Sequence, residues 1–248
     1  MEKPKEALEQ ALDELHSSLP ELLANAVVTS LEGVAPFLPN KKRITQEIET
    51  EISTLKIQCQ HGFDHIINAI QNENKERSQE LKAFLLERFH SLASPPHFTQ
   101  AVLKVIAGHS WREALKISLE TLETLYLGAR TIFEEGRFTD AIEAFTFLSW
   151  LESKQYDFWL SLGHSHFHAA HHEKAIHAYQ AATHTIPDEA WPHVYSALCF
   201  EALGNREEAK ICLTEGLEKA KKLSDTELIR ALKQKFDEYG QDPIIPIS

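Results

Sequence analysis

From about residue 122 to residue 223 the chain repeats itself every 34 residues with no insertion, and this period restricts the fold more than any other feature. Starting at Trp159, the period's key positions are Leu162, Gly163, His166, Ala175, Tyr179, Ala182 and Pro187. One period earlier stand Leu125, Gly128, Ala129, Ile132, Ala141, Phe145, Leu148 and Ser153. One period later stand His193, Ser196, Ala197, Phe200, Ala209, Leu213, Gly216 and Lys221. The small residues keep register (Ala129, Gly163, Ala197, then Ala141, Ala175, Ala209), and so do the large ones, Phe145, Tyr179 and Leu213. Small residues at fixed offsets let two helices approach closely, and large ones fill the gap beside them. A single helix pair cannot bury its apolar face alone, so neighbouring pairs must stack.

This spacing is that of the tetratricopeptide repeat. It predicts an all-α fold, with repeats at about 122–155, 156–189 and 190–223 inside a domain spanning 108–240. Ser110 and Glu113 have capping-box spacing, and Ser118 is placed to cap the first repeat helix. Gly136 and Gly204 fall at equivalent turns, where a left-handed residue is useful. Ser224 and Glu227 again have capping-box spacing. A helix at 225–239 then carries Leu228, Ile229, Leu232 and Phe236 on one side, as the polar-backed end helix a solenoid needs. Residues 241–248 read as a tail.

Residues 1–107 read as an N-terminal helical region. Helices are expected at 4–19, with Leu8, Ala11, Leu12, Leu15 and Leu19 on one face, and from Pro20 to about Gly33. The stretch 35–43 is expected to be a loop, with its basic triplet Lys41-Lys42-Arg43 read as a solvated turn. Ile44, Ile48, Ile52, Leu55 and Cys59 make a narrow apolar stripe that needs a partner helix, in this chain or in a second subunit. Gly62 is expected to interrupt or end that helix, and 71–77 to connect it to the next. Ser94-Pro95-Pro96 stops the helix carrying Phe84, Leu85 and Phe89. A short helix from about Phe98 to Ala107 closes the region. It reads equally as a dimerisation arm, a lid or a second binding domain.

Composition narrows the function classes. With 43% hydrophobic residues a packed core is expected, and no apolar run approaches the length of a membrane span. The start does not resemble a signal peptide. Cys59, Cys199 and Cys212 have no metal spacing and suit a reducing cytoplasm. A net charge of −12 argues against nucleic acid as partner. Residues 1–110 hold 11 Lys and Arg against 15 Asp and Glu, and the remainder 14 against 22, so the repeat half is the more acidic. That is either a solvated surface or attraction to a basic partner.

The entry Leu115-Lys-Ile-Ser-Leu-Glu-Thr-Leu-Glu-Thr-Leu-Tyr126, then Ala129, Glu135-Gly-Arg-Phe-Thr-Asp-Ala-Ile142, Phe158-Trp-Leu-Ser-Leu-Gly163, Lys174-Ala-Ile-His-Ala-Tyr179 and Trp191-Pro-His-Val-Tyr-Ser-Ala-Leu-Cys199 carry a more specific likeness. Over about residues 108–235 the chain resembles the class II type III secretion chaperones, the SycD/LcrH/IpgC translocator-chaperone family. Pro192 matches that family's proline in the first turn of the third repeat. The resemblance implies a cytoplasmic bacterial virulence protein with no enzymatic activity and no cofactor. Such a protein keeps a hydrophobic translocator or other export substrate soluble, with an extended client segment in the concave groove. It also implies a homodimer through N-terminal helices. The family's N-terminal extension is short, whereas about 107 residues precede the repeats here.

In such repeats the first helix of each pair lines the concave face. The exposed offsets give Tyr126, Arg130, Phe133 and Glu134; Leu160, His164, Phe167 and His168; and Val194, Leu198, Glu201 and Ala202. A groove of Tyr, Phe, Leu and Val with few charges suits the alternating apolar anchors of an extended peptide. The same residues are core if the N-terminal half covers them. His164, His166, His168, His171 and His172 crowd one segment, but no HExxH or carboxylate stands at zinc spacing, so no metal is expected and the histidines read as groove lining. No catalytic motif stands out. The competing function is a tetratricopeptide adaptor that assembles proteins without a chaperone role.

Overall fold

The computed structural model describes residues 41–91 and 95–238, which form helices and connecting turns with no strand among them. The helices predicted at 4–19 and 20–33 and the tail at 241–248 lie outside the described residues. In chain order the helices are α1 (Lys41–Glu73), α2 (Lys75–Ser91), α3 (Pro95–Ile106), α4 (Trp111–Ala114), α5 (Leu119–Glu134), α6 (Phe138–Leu151), α7 (Tyr156–His168), α8 (His172–Thr185), α9 (Trp191–Ala202), α10 (Arg206–Leu223) and α11 (Thr226–Glu238). The three repeats are the pairs α5–α6, α7–α8 and α9–α10. Helix α11 packs on α10. No described helix is long and apolar enough to cross a membrane.

The repeats close as their spacing requires. Ala129, Ala141, Ala175, Ala209, Ile132 and Tyr179 are fully buried, and Phe145, Leu213 and Ala197 are nearly so. A side chain at Gly163 would place its Cβ 2.3 Å from the Tyr179 ring, so α7 and α8 approach closely only because residue 163 has none. At the turns Gly136 and Gly204 are left-handed, with φ of 76° and 79°, and Ala170 takes the equivalent turn with φ of 59°.

Of the three caps expected from the sequence, two form. The Ser110 Oγ accepts from the Glu113 N–H while the Ser110 N–H donates to Glu113 Oε2, a complete capping box on α4. Ser118 caps α5 through the Thr121 N–H. The pairing of Ser224 with Glu227 does not form. Ser224 is left-handed (φ 57°) and closes α10, and Asp225 Oδ1 takes the Leu228 N–H that opens α11. Asp competes well with Ser for this position because its carboxylate also meets the positive end of the helix dipole.

Gly62 does not end its helix. α1 begins at Lys41, so the basic triplet 41–43 expected in a loop is helical; α1 then runs through Gly62 to Glu73, and α2 begins one residue past Asn74, so 71–77 is almost wholly helical. The reason is tertiary. A Cβ on Gly62 would lie 2.1 Å from the carbonyl oxygen of Glu143, and contact with α6 outweighs a glycine's helix cost of about 1 kcal/mol. Around it Cys59, Phe63, Ile66, Ile67 and Ile70 join Leu85 and Phe89 of α2 and Leu125, Ile132, Phe145 and Phe147 of the first repeat in one buried cluster. The rings of Phe63, Phe89 and Phe147 meet at 5.8 to 6.2 Å between centroids. Polar groups pin the same seam. His61 Nδ1 and His65 Nε2 stand 3.2 and 3.0 Å from the Glu143 carboxylate, and Ser78 Oγ donates to the Ile67 carbonyl. Helices α1 and α2 thus pack onto the first repeat as its neighbour within the same chain.

Candidate peptide-binding face

The first helices of the repeats are joined to each other by side chains. Tyr126 of α5 lies against Phe158 of α7 with centroids 5.5 Å apart, and Phe133 of α5 meets His168 of α7 at 5.5 Å. His164 of α7 meets Tyr195 of α9 at 4.5 Å, edge to face. Tyr195 is flanked by Trp191, stacked at 5.7 Å, and by Tyr179 at 5.4 Å. A partly exposed aromatic row therefore crosses α5, α7 and α9.

At one end of this row Leu119, Leu122, Tyr126 and Phe158 wall a cleft of about 320 Å³, with Glu123, Gln155 and Asp157 at its edge. Leu119 is 68% exposed, unusual for a leucine next to buried neighbours. Beside the row His168 stacks on Phe138 of α6 at 4.8 Å, and Phe167 touches both His168 and His172. In the middle His164 Nδ1 shares a 3.1 Å hydrogen bond with the Tyr179 hydroxyl. Burial pushes His164 down to about 4, with the neighbouring His168 adding repulsion, and burial raises the Tyr179 hydroxyl. At neutral pH this part of the row is therefore uncharged, which suits apolar contacts.

The other residues singled out from the sequence divide by environment. Arg130 is exposed and paired with Glu134 at 2.7 Å. Leu160 and Phe167 are half-buried against Ala175, Ile176, Tyr179 and Cys199. Val194 is half-buried against the cluster formed by Ala190, Ala197 and Leu213, and Leu198 is half-buried on α9. Tyr126 and Phe133 pack against the first-repeat core while keeping exposed area. Glu201 is tied to Lys235 of α11 at 3.2 Å. His166 is buried in the aromatic position of its repeat and held at about 4 by burial, with smaller repulsion from His171 and Lys174. Among the described residues no three His, Cys, Asp or Glu side chains converge as a metal site.

Sequence reasoning missed Trp191, Tyr195 and Leu119. Trp191 stands two residues before the third repeat's first key position, in register with Asp157 and Glu123. Including that offset would have found it. Leu119 is in register with Ser153 and Pro187, and Tyr195 with Leu127 and Ser161; neither offset keeps one residue type, so both become visible only when the helices are packed.

No protein-family model and no curated protein matches the chain. Solved structures do. A chain of the CopN–Scc3 complex is 25% identical with a TM-score of 0.50, covering 55% of this chain and 78% of that one. The Yersinia enterocolitica type III secretion translocator chaperone SycD is 26% identical with a TM-score of 0.50, covering 53% of this chain and 98% of that one. SycD in complex with a peptide of the translocator YopD is 28% identical at a TM-score of 0.41, covering 48% and 97%. The chain has the all-helical, tetratricopeptide-like fold of the class II type III secretion chaperones, and nearly half of it has no counterpart in them.

Proposed function

We propose that this protein is a non-enzymatic chaperone of type III secretion. It holds an extended, apolar segment of a secreted translocator-type client on the first-helix face of its repeats, within residues 108–240. The observation that carries the reading is the aromatic row from Leu119 and Tyr126 through His164 and Tyr195 to Trp191, partly exposed and uncharged at its centre. Support comes from the fold shared with SycD, a translocator chaperone. Large rigid aromatics with one exposed face bind apolar anchors with little loss of side-chain freedom. An extended peptide presents alternate side chains to one side, which matches a row of separate clefts better than one deep pocket. The holding step belongs in the cytoplasm, before export, and a dimer through N-terminal helices is part of the same reading.

The test is co-expression with a translocator that aggregates alone. The wild-type chain should bring it into the soluble fraction. A chain with Tyr126, Phe133 and Phe167 changed to Ala should lose most of that rescue while keeping its helical circular dichroism. Equal rescue by the variant would remove the row as the client site. Capture of the client with no effect on its solubility would favour the adaptor reading.

A further inference from the structure

The aromatic row has two unlike edges. Where the first helices begin, Glu123 of α5 and Asp157 of α7 stand at the rim of the cleft walled by Leu119, Leu122, Tyr126 and Phe158. They are 34 residues apart and hold the same position in successive repeats. In the third repeat that position is Trp191, and the acid is Glu189, two residues earlier. Burial raises the hydroxyls of Tyr156 and Tyr195, with the Glu189 carboxylate adding to each, which sets Glu189 beside these two rings. One acid per repeat therefore follows the row from Tyr126 to Tyr195.

Nothing cationic meets these acids. Among the described residues Glu123 makes no hydrogen bond or ion pair. Asp157 accepts only from the Gln155 amide, at 3.3 Å. Glu189 accepts from the backbone N–H groups of Ala190 and Trp191, at 2.9 and 3.4 Å. Further along the same helices the charges are paired instead, Arg130 with Glu134 at 2.7 Å and Glu201 with Lys235 at 3.2 Å. The helix dipole does not account for Glu123. It acts within the first turn, which in α5 already holds Glu120. The cleft beside these acids is open, since its Leu119 is exposed. Charge decides what fits there. Residues 1–40 hold seven Asp and Glu against two Lys, and the whole chain carries −12, so neither that segment nor a second copy complements an acidic edge.

We infer that the client segment on this row carries Lys or Arg between its apolar anchors, and that Glu123 and Asp157 select it by meeting those cations. The inference rests on the row being the client face. An apolar side chain of the client fills the cleft beside Leu119. The cation next to it lays its aliphatic stem along the apolar surface and its charged head at the edge, as Lys and Arg do wherever apolar surface borders water. Pairs at an exposed rim contribute more to the choice of partner and the rate of encounter than to raw affinity. The apolar row therefore supplies the hold, and the acidic edge supplies the discrimination among apolar segments.

The experiment titrates the full chain into three fluorescein-labelled peptides and reads their anisotropy. Each peptide has leucine at three alternate positions, with Lys, Gln or Glu at the positions between. The Lys peptide should bind about 5-fold more tightly than the Gln peptide at low ionic strength, and the Glu peptide more weakly than either. The Lys preference should fade in 1 M salt, where screening is nearly complete. Glu123→Gln with Asp157→Asn should bring the ratio of Lys to Gln affinity close to one, and Glu123→Gln alone should lower it part of the way. Glu173→Gln with Glu218→Gln, on the second helices α8 and α10, removes the same charge elsewhere and should keep the preference. Equal binding of the Lys and Gln peptides to the wild-type chain overturns the inference and leaves the client face standing. So does a preference lost equally in both double variants, which would reduce it to net charge. Tightest binding of the Glu peptide overturns it in favour of an acidic occupant such as residues 1–40. Binding of none of the three removes the client face and the inference together.

Discussion

Ala170 is the residue where the repeat period conflicts with local conformation, and replacing it by glycine should stabilise the protein. Gly136, Ala170 and Gly204 are 34 residues apart and end the first helices of successive repeats. Their hydrogen bonds are the same. The N–H groups of Gly136, Ala170 and Gly204 donate to the carbonyls of Phe133, Phe167 and Glu201 at 2.9 to 3.0 Å. The next N–H groups, of Arg137, His171 and Asn205, return to Ile132, His166 and Phe200. This closure needs a left-handed residue, and Ala170 supplies φ of 59° with a Cβ in place. A left-handed alanine costs about 1–2 kcal/mol. Glycine there forfeits about 0.4–1 kcal/mol through the greater freedom of the unfolded chain. The net expectation for Ala170→Gly is a gain of about 0.5–1 kcal/mol, or about 1–4 °C in melting temperature for a chain of this size. Ala170 is exposed, and nothing lies within 4 Å of a Cβ built on Gly136 or Gly204, so packing does not confound the comparison. Gly136→Ala and Gly204→Ala should lose a similar amount. Urea midpoints at constant slope measure all three. Loss of stability in Ala170→Gly, or no effect from the two converse changes, would refute the shared closure.

Three further outcomes follow from buried groups. Gly163→Ala should destabilise by about 1–3 kcal/mol, because its Cβ would sit 2.3 Å from the Tyr179 ring; combining it with Tyr179→Ala should give less than the sum of the two losses, and simple additivity would disprove the contact. His166 is pushed by burial from 6.5 to about 4 in the folded state, so between these pH values the unfolded chain binds the extra proton. Stability is therefore full above pH 6.5 and falls as the pH drops toward 4. His166→Phe should gain on wild type across that interval in pH-dependent denaturation, and a constant difference would count against the burial. Burial also raises the thiols, Cys212 to about 11, Cys199 to about 12 and Cys59 further still, and Cys59 and Cys199 are both fully buried. A thiol reagent should react first with the half-buried Cys212, and with Cys59 only on unfolding; early labelling of Cys59 would show that α1 does not pack on α6 as described.

The repeats were readable because their packing signal is local and recurrent. Ala129, Ala141 and Ala175 sit where two helices nearly touch, and a 34-residue shift tests each against its copies. The capping box at Ser110 was readable for the same reason, since its partners are three residues apart. Gly62 was not. Its glycine reads as a helix break until Glu143, 81 residues away, is brought against it. Ser224 failed because two residues, Ser224 and Asp225, could each begin α11. Ser224 is taken up by finishing α10 in the left-handed conformation, which leaves Asp225 to begin α11. For the aromatic row, offsets found Tyr126, Phe133 and His164 one by one. Tyr195 lies outside those offsets and reaches His164 only through the stacking of α9 on the second repeat.

The placement of α1 bears on how long the row can be. A stack of repeats interacts only with its neighbours, so its first and last repeats each have an apolar side without a partner. At the last repeat that side is covered by α11, whose Leu228 and Leu232 are buried with Leu213 and Leu217. At the first repeat Ile66 and Ile70 of α1 lie against Gly128, and Phe63 and Phe89 close over Phe147. Gly128 is small for the same reason as Gly163, since a Cβ there would meet Ile70 at 2.9 Å. Among the described residues the stack is thus covered at both ends, by α1 and α2 at the first repeat and by α11 at the last. Among the described residues the row crosses α5, α7 and α9. At about 10 Å between neighbouring helices, it spans about 20 Å, the reach of about six extended residues. A client anchored by more than about three alternate side chains must therefore leave this face and meet another surface of the protein.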